Sequence, residues 1–192
     1  MKLTITKALL CIAALLFTQS LRAQDQDYLL TLKGDTLFGK VSQSSVDHTK
    51  FKYKTAKMKK AEDITVDSIK EFTCNRIPLV MRAVTMEGVK KPVFMIVVEK
   101  GAISLYSLME WNAMESNRIH SSMEFYVSKN CDSVRLLKSN YNTDKPKEQI
   151  LDEFAELLKD KKSIYDKFKA KEYYNFTYLF KLIHFYNTGL TL

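Results

Sequence analysis

Only five glycines, three cysteines and three histidines occur in the 192 residues, and each shortage closes a route. So few glycines leave no glycine-rich loop to cradle a phosphate and no nucleophile elbow. His48, His120 and His184 are widely separated, none with a second histidine at metal-ligand spacing, so neither a metal nor a cofactor is expected. Apolar runs are short as well. The longest, Ala8 to Phe17, falls well under the ~20 residues needed to cross a bilayer as a helix. No internal repeat, long linker or low-complexity tract interrupts the chain.

What surrounds the apolar run gives it a meaning. Lys2 and Lys7 lead into it and Ala23 precedes Gln24, the pattern of a secretory signal peptide over residues 1–23. An uncleaved anchor competes with that reading but is opposed by the shortness of the run and by Arg22 close behind it. Lipidation at Cys11 is opposed by that cysteine's place at the start of the apolar core. A cleaved leader places the remainder outside the cytoplasm with no transmembrane segment. ATP-driven and nicotinamide-dependent chemistry and genome binding then drop out. The remainder is long enough for one domain, and a hydrophobic content of 46% with ten Tyr and eleven Phe rules against disorder. The formal charge of +8 falls by the three units of Lys2, Lys7 and Arg22 when the leader leaves. So mild an excess fits anionic neighbours and ordinary solubility alike.

Period-two patterning from Tyr28 to Leu137 reads as strands. Tyr28 to Lys33 and Thr36 to Val41 flank Gly34-Asp35, where glycine offers positive φ and aspartate bonds the turn, giving a hairpin. Thr49 to Thr55, Ile64 to Val66 with Ile69 to Cys74, Leu79 to Met86, Val93 to Val98, Ala102 to Leu108, Ser122 to Ser128 and Ser133 to Lys138 follow. Val93 to Val98 is apolar throughout, which predicts a central strand buried on both faces, with helices from the chain's end over one of them. Helical spacing then takes over. Ile150, Leu151, Phe154, Leu157 and Leu158 form a stripe in Pro146 to Lys159, with Asp144 as cap. Ser163 to Lys171 and Asn175 to Tyr186 follow, with Gly189 as stop. The expected fold is α+β: a mostly antiparallel sheet of about eight strands, barrel-like or open, then roughly two or three C-terminal helices. The β-rich part spans 24–138, and the helical part, 139–192, packs on the same domain.

The segment Tyr28-Leu29-Leu30-Thr31-Leu32-Lys33-Gly34-Asp35-Thr36-Leu37-Phe38-Gly39-Lys40-Val41 behind a signal peptide resembles a loose group of small exported proteins of Gram-negative bacteria with no assigned activity. Tyr186-Asn187 matches a pair common near their ends, whereas Lys57-Met58-Lys59-Lys60 departs from the group. The resemblance implies export to the periplasm or cell surface and a β-plus-helix body. It carries over no catalytic residue.

Lys50, Lys52 and Lys54 alternate with Phe51 and Tyr53, and Lys57, Lys59 and Lys60 follow. Strand parity puts these three lysines on one face and the two aromatics on the other, so the aromatics cannot stack on a ligand that the lysines hold. A solvated edge guarded by lysine and a site for an anionic glycan or lipid surface both remain open, while nucleic acid is not expected. Trp111, between strands, is a binding anchor or a core plug flanked by Met109 and Met114. Cys74 and Cys131, both read in strands, form a disulfide or stay as buried thiols. A thiol nucleophile built from Cys131, His120 and Glu124 lacks the local signature of any thiol enzyme. His184 reads as a surface residue beside Lys181. The triplets Asp35-Thr36-Leu37, Asp67-Ser68-Ile69 and Asp132-Ser133-Val134 resemble a bacterial O-glycosylation acceptor, and equally mark Asp turns that start strands. Together these point to a non-catalytic envelope or periplasmic module that binds a partner protein or an anionic surface. A hydrolase of envelope or nutrient polymers is the alternative, and would need a pocket with converging polar groups.

Overall fold

The computed structural model describes residues 26–44, 50–112, 120–139, 145–171 and 174–191, with the backbone alone at 109–112 and 120–122. The expected signal peptide, His48 and the Asp144 cap lie outside these residues, as do the side chains of Trp111 and His120. The fold is α+β. Ten strands precede three helices: β1 (Asp27–Thr31), β2 (Thr36–Gln43), β3 (Phe51–Lys54), β4 (Glu62–Asp63), β5 (Ile69–Cys74), β6 (Leu79–Met86), β7 (Val93–Glu99), β8 (Ile103–Asn112), β9 (His120–Lys129), β10 (Ser133–Ser139), α1 (Lys147–Leu158), α2 (Lys162–Lys169) and α3 (Phe176–Thr188).

The strands form one sheet in the order β10-β9-β8-β7-β6-β5-β1-β2-β3-β4. Neighbours in this order pair antiparallel, and β10 also meets β6 in parallel through Ser133↔Thr85 and Val134↔Met86. That contact makes β6 to β10 ring-like, held by the Thr85 N–H on the Asp132 carbonyl (2.9 Å) and the Glu87 N–H on the Val134 carbonyl (3.3 Å). Beyond β5 the sheet continues as an arm, β1 to β4.

Three apolar clusters follow from this path. Val84, Met95, Tyr106, Tyr126 and Val134 form one, on the face of β6 to β10 that the ring encloses. Leu29, Val41, Phe51, Phe72 and Cys74 form the core of the arm, with Phe72 edge-on to Phe94 at 5.1 Å. Ile103, Leu105, Val127 and Leu137 on the outer face of β8 to β10 take the helices, through Phe154, Leu158, Phe168, Leu179 and Ile183. Asn175 accepts the Tyr178 N–H at the start of α3, and Gly189, with φ 75°, ends it.

Several expectations are corrected. Ile64 to Val66 is not a strand: Ile64 gives its N–H to Phe51 and buries its side chain, while β4 is the two-residue Glu62–Asp63. Trp111 lies inside β8 because the β8–β9 ladder runs unbroken from Ile103↔Lys129 to Asn112↔His120. The apolar side chains of the helices dock on β8 to β10 rather than on β7, which meets α3 at Glu99 and leaves Val98 37% exposed. Cys131 sits in the turn between β9 and β10. His184 is half-buried with Nδ1 3.2 Å from Glu99 Oε1.

Gly39 is required by proximity. A Cβ there would stand 2.6 Å from the Lys54 carbonyl oxygen, a backbone atom that cannot move without parting β2 from β3. Gly39→Ala is expected to cost about 1–2 kcal/mol as an overpacking change, read as a lower urea midpoint.

Candidate functional site

The arm exposes one face of β2 and β3. Burial alternates along both strands, so Thr36, Phe38, Lys40 and Ser42 of β2 point outward while Leu37 and Val41 turn in. On β3, Lys52 and Lys54 point outward and Phe51 turns in. The register Lys40↔Lys54 and Ser42↔Lys52 puts these residues on a single surface. Sequence parity correctly separates Lys52 and Lys54 from Phe51 and Tyr53, but β2 supplies an aromatic to the lysine face. Phe38 is 59% exposed and stands two residues from Lys40. Lys50 is exposed just before β3, and Lys57, Lys59 and Lys60 are exposed in the loop to β4. Between residues 50 and 63 six lysines meet two carboxylates, of which Asp63 lies 3.7 Å from Lys52. Trp111 is not part of this surface, since β8 lies on the ring.

A second polar centre gathers where the arm joins the ring. Glu71, 2% exposed, accepts from the Tyr28 hydroxyl (2.7 Å), Arg82 Nη1 (3.2 Å) and Lys100 Nζ (3.0 Å). Arg82 also donates to Asp132 Oδ1 from Nε (2.9 Å) and Nη2 (2.6 Å), and Lys70 lies 3.1 Å from Asp132 Oδ2. Burial alone would raise the Glu71 pKa, but the bonds from Tyr28 and Lys100 and the charge of Arg82 outweigh it and hold the carboxyl below its ordinary value. Asp132 behaves likewise, its burial outweighed by Arg82 and Lys70. Burial, and then the bond to Glu71, push Tyr28 up to about 12. Each carboxylate oxygen has a donor, so the centre ties β1, β5, β6 and two turns together rather than presenting a free acid or base. No sequence signal marks it, because its members are scattered from Tyr28 to Asp132.

A cavity of about 530 Å³ lies where β6, β9 and β10 meet α1, with Met86, Val89, Tyr126, Val134 and Leu136 as apolar lining and Glu87, Lys145, Gln149 and Glu153 as polar lining. Lys145 lies 2.7 Å from Glu153 and 3.5 Å from Glu87. Neither cysteine lines it. Cys74 is buried in the arm and Cys131 is exposed, and both are free thiols. His120 begins β9 and Cys131 follows its far end, while Glu124 is bonded by Tyr126 (2.6 Å) and Ser139 (2.9 Å). The fold therefore separates the three parts of the thiol arrangement. Among the described residues no group of three metal-ligating side chains gathers, and no helix is long and apolar enough to cross a membrane.

The fold defines an α+β protein with a ring-like sheet, a basic arm and a helical cover. Comparison with known proteins adds no relative: no family model, curated protein or solved structure matches this chain.

Proposed function

We propose that the protein is an exported, non-catalytic module of the cell envelope or periplasm whose lysine-bearing arm holds an anionic partner surface. The observation that carries this reading is the alignment of Lys40, Lys52 and Lys54 on one open face. The charged side chains of the centre around Glu71, Arg82 and Asp132 satisfy one another, whereas Lys40 and Lys54 face each other across the ladder. Like charges directly opposite weaken a strand pair, so the arrangement is explained by something outside it that supplies negative charge.

Fractionation of the producing cell tests the reading. The protein is expected in the envelope fraction and is released by about 1 M sodium chloride, where the Debye length is only about 3 Å. Replacing Lys52, Lys54, Lys57 and Lys59 by Gln should move it to the soluble fraction at low salt. Its melting temperature should scarcely change, since exposed substitutions cost within about 0.5 kcal/mol. An envelope-bound quadruple variant with unaltered salt release would remove the arm from consideration.

A further inference from the structure

Resting on that reading, we infer that the anionic partner is a lipid bilayer surface, with the lysines of the arm on the headgroups and Phe38 inserted at the acyl boundary. Three observations converge. The face formed by Phe38, Lys40, Ser42, Lys52 and Lys54 is the open side of a strand pair, and none of these residues lines the cavity. A small anion or a single polymer strand is gripped by a concavity; an open sheet face suits an extended plane. Phe38 is 59% exposed beside lysines rather than buried with the aromatics of the arm. An aromatic ring among basic side chains is the composition of segments that lie in the membrane interface, apolar groups in the boundary and lysines at the phosphates.

The third observation is the distribution of charge. Half of the chain's formal +8 is contributed by residues 50–63, where six lysines meet two carboxylates, and Lys40 stands against this segment. Among the described residues neither Lys40 nor Lys54 has a carboxylate partner. A bilayer rich in anionic lipid offers many phosphates in one plane, so opposed lysines gain partners together. Attraction of this kind adds up over neighbouring lysines and decays within a Debye length.

The test uses the protein recovered from the producing cell and sedimentation with two kinds of vesicle, pure phosphatidylcholine and phosphatidylcholine with about 30 mol % phosphatidylglycerol. Binding to the anionic vesicles is expected to be at least about tenfold tighter, and to weaken steeply with salt. Lys40→Gln with Lys54→Gln should weaken it about tenfold or more and flatten the salt dependence. Phe38→Ser should weaken it about fivefold with the salt dependence kept, because the ring contributes apolar burial rather than charge. Leu190→Ser, which removes an exposed apolar side chain at the end of the chain, serves as control and should bind as the wild type does. Equal sedimentation with both vesicles overturns the inference, as does wild-type binding by both arm variants. Salt-released association with the native envelope without binding to anionic vesicles also overturns it, while leaving a protein or glycan partner for the arm. Absence of both removes the proposed function as well.

Discussion

Replacement of Glu71 by alanine is expected to lower stability by about 3 kcal/mol, a fall in melting temperature of roughly 6 to 12 °C for a chain of this size. The carboxylate is buried and takes donors from β1, β6 and the β7–β8 turn. Removing it leaves the Tyr28 hydroxyl and one arm of Arg82 without their acceptor, and breaking a buried pair from one side is far costlier than never having formed it. The value lies at the low end for such a deletion because Arg82 keeps Asp132, and Lys100, whose side chain is 60% exposed, returns to water. Glu71→Gln keeps an acceptor for Tyr28 and should cost less.

The same groups set the pH response. Glu71 and Asp132 titrate below their ordinary values of 4.5 and 3.8 in the folded protein. Their contribution is therefore complete above those values and is lost as pH falls through the lower folded ones. Tyr28 works at the other limit: its hydroxyl contributes fully below pH 10 and loses that contribution as pH rises toward about 12. Urea midpoints across pH should fall on the acid side for the wild type and fall less steeply for Glu71→Gln. A loss under about 1 kcal/mol in Glu71→Ala, with an unchanged acid slope, would contradict the structural role given to this centre.

How much of this is legible from sequence depends on how local each cause is. The β1–β2 hairpin is readable because Gly34, with φ 92°, and Asp35 make a turn within four residues of both strands. The helices are readable because Ile150, Phe154 and Leu158, or Leu179 and Ile183, recur at helical spacing and are the residues that the structure buries. Ring closure is different. It rests on two parallel pairs between β6 and β10, strands distant in sequence, and nothing in either strand announces the other. Val93 to Val98 shows the limit of pattern alone: an apolar run predicts burial on both faces, but the helices choose β8 to β10, where Ile103, Leu105, Val127 and Leu137 provide the broader apolar surface. For the candidate site, alternation within β3 gives the orientation of the lysines, whereas Phe38 joins them only through the β2–β3 register, which the connecting chain leaves unspecified.

Asn187 and Gly101 carry the second large effect, as a pair. The Asn187 side chain bonds the backbone of Ile103 twice, accepting its N–H at 3.0 Å and donating to its carbonyl at 2.8 Å, so it continues the ladder at the start of β8 as a strand would. α3 is held at the same end by Tyr186, whose hydroxyl donates to Asp160 at 2.6 Å and whose carbonyl accepts from Lys161 at 2.6 Å. Asn187→Ala strips both bonds from the part-buried backbone of Ile103, and is expected to cost about 2 kcal/mol. Gly101 is a glycine for want of room, since a Cβ there would overlap the Asn187 side-chain amide. Gly101→Ala must therefore expel the same amide and should cost a similar amount. Once Asn187 is already alanine the obstruction is gone, so the double variant should be more stable than the sum of the single losses by at least about 1 kcal/mol. Amide exchange at Ile103 should quicken in either single variant, because its N–H loses the acceptor on α3. Strict additivity in the cycle, or an Ile103 amide as protected as before, would show that the helix is held to β8 by its apolar face alone.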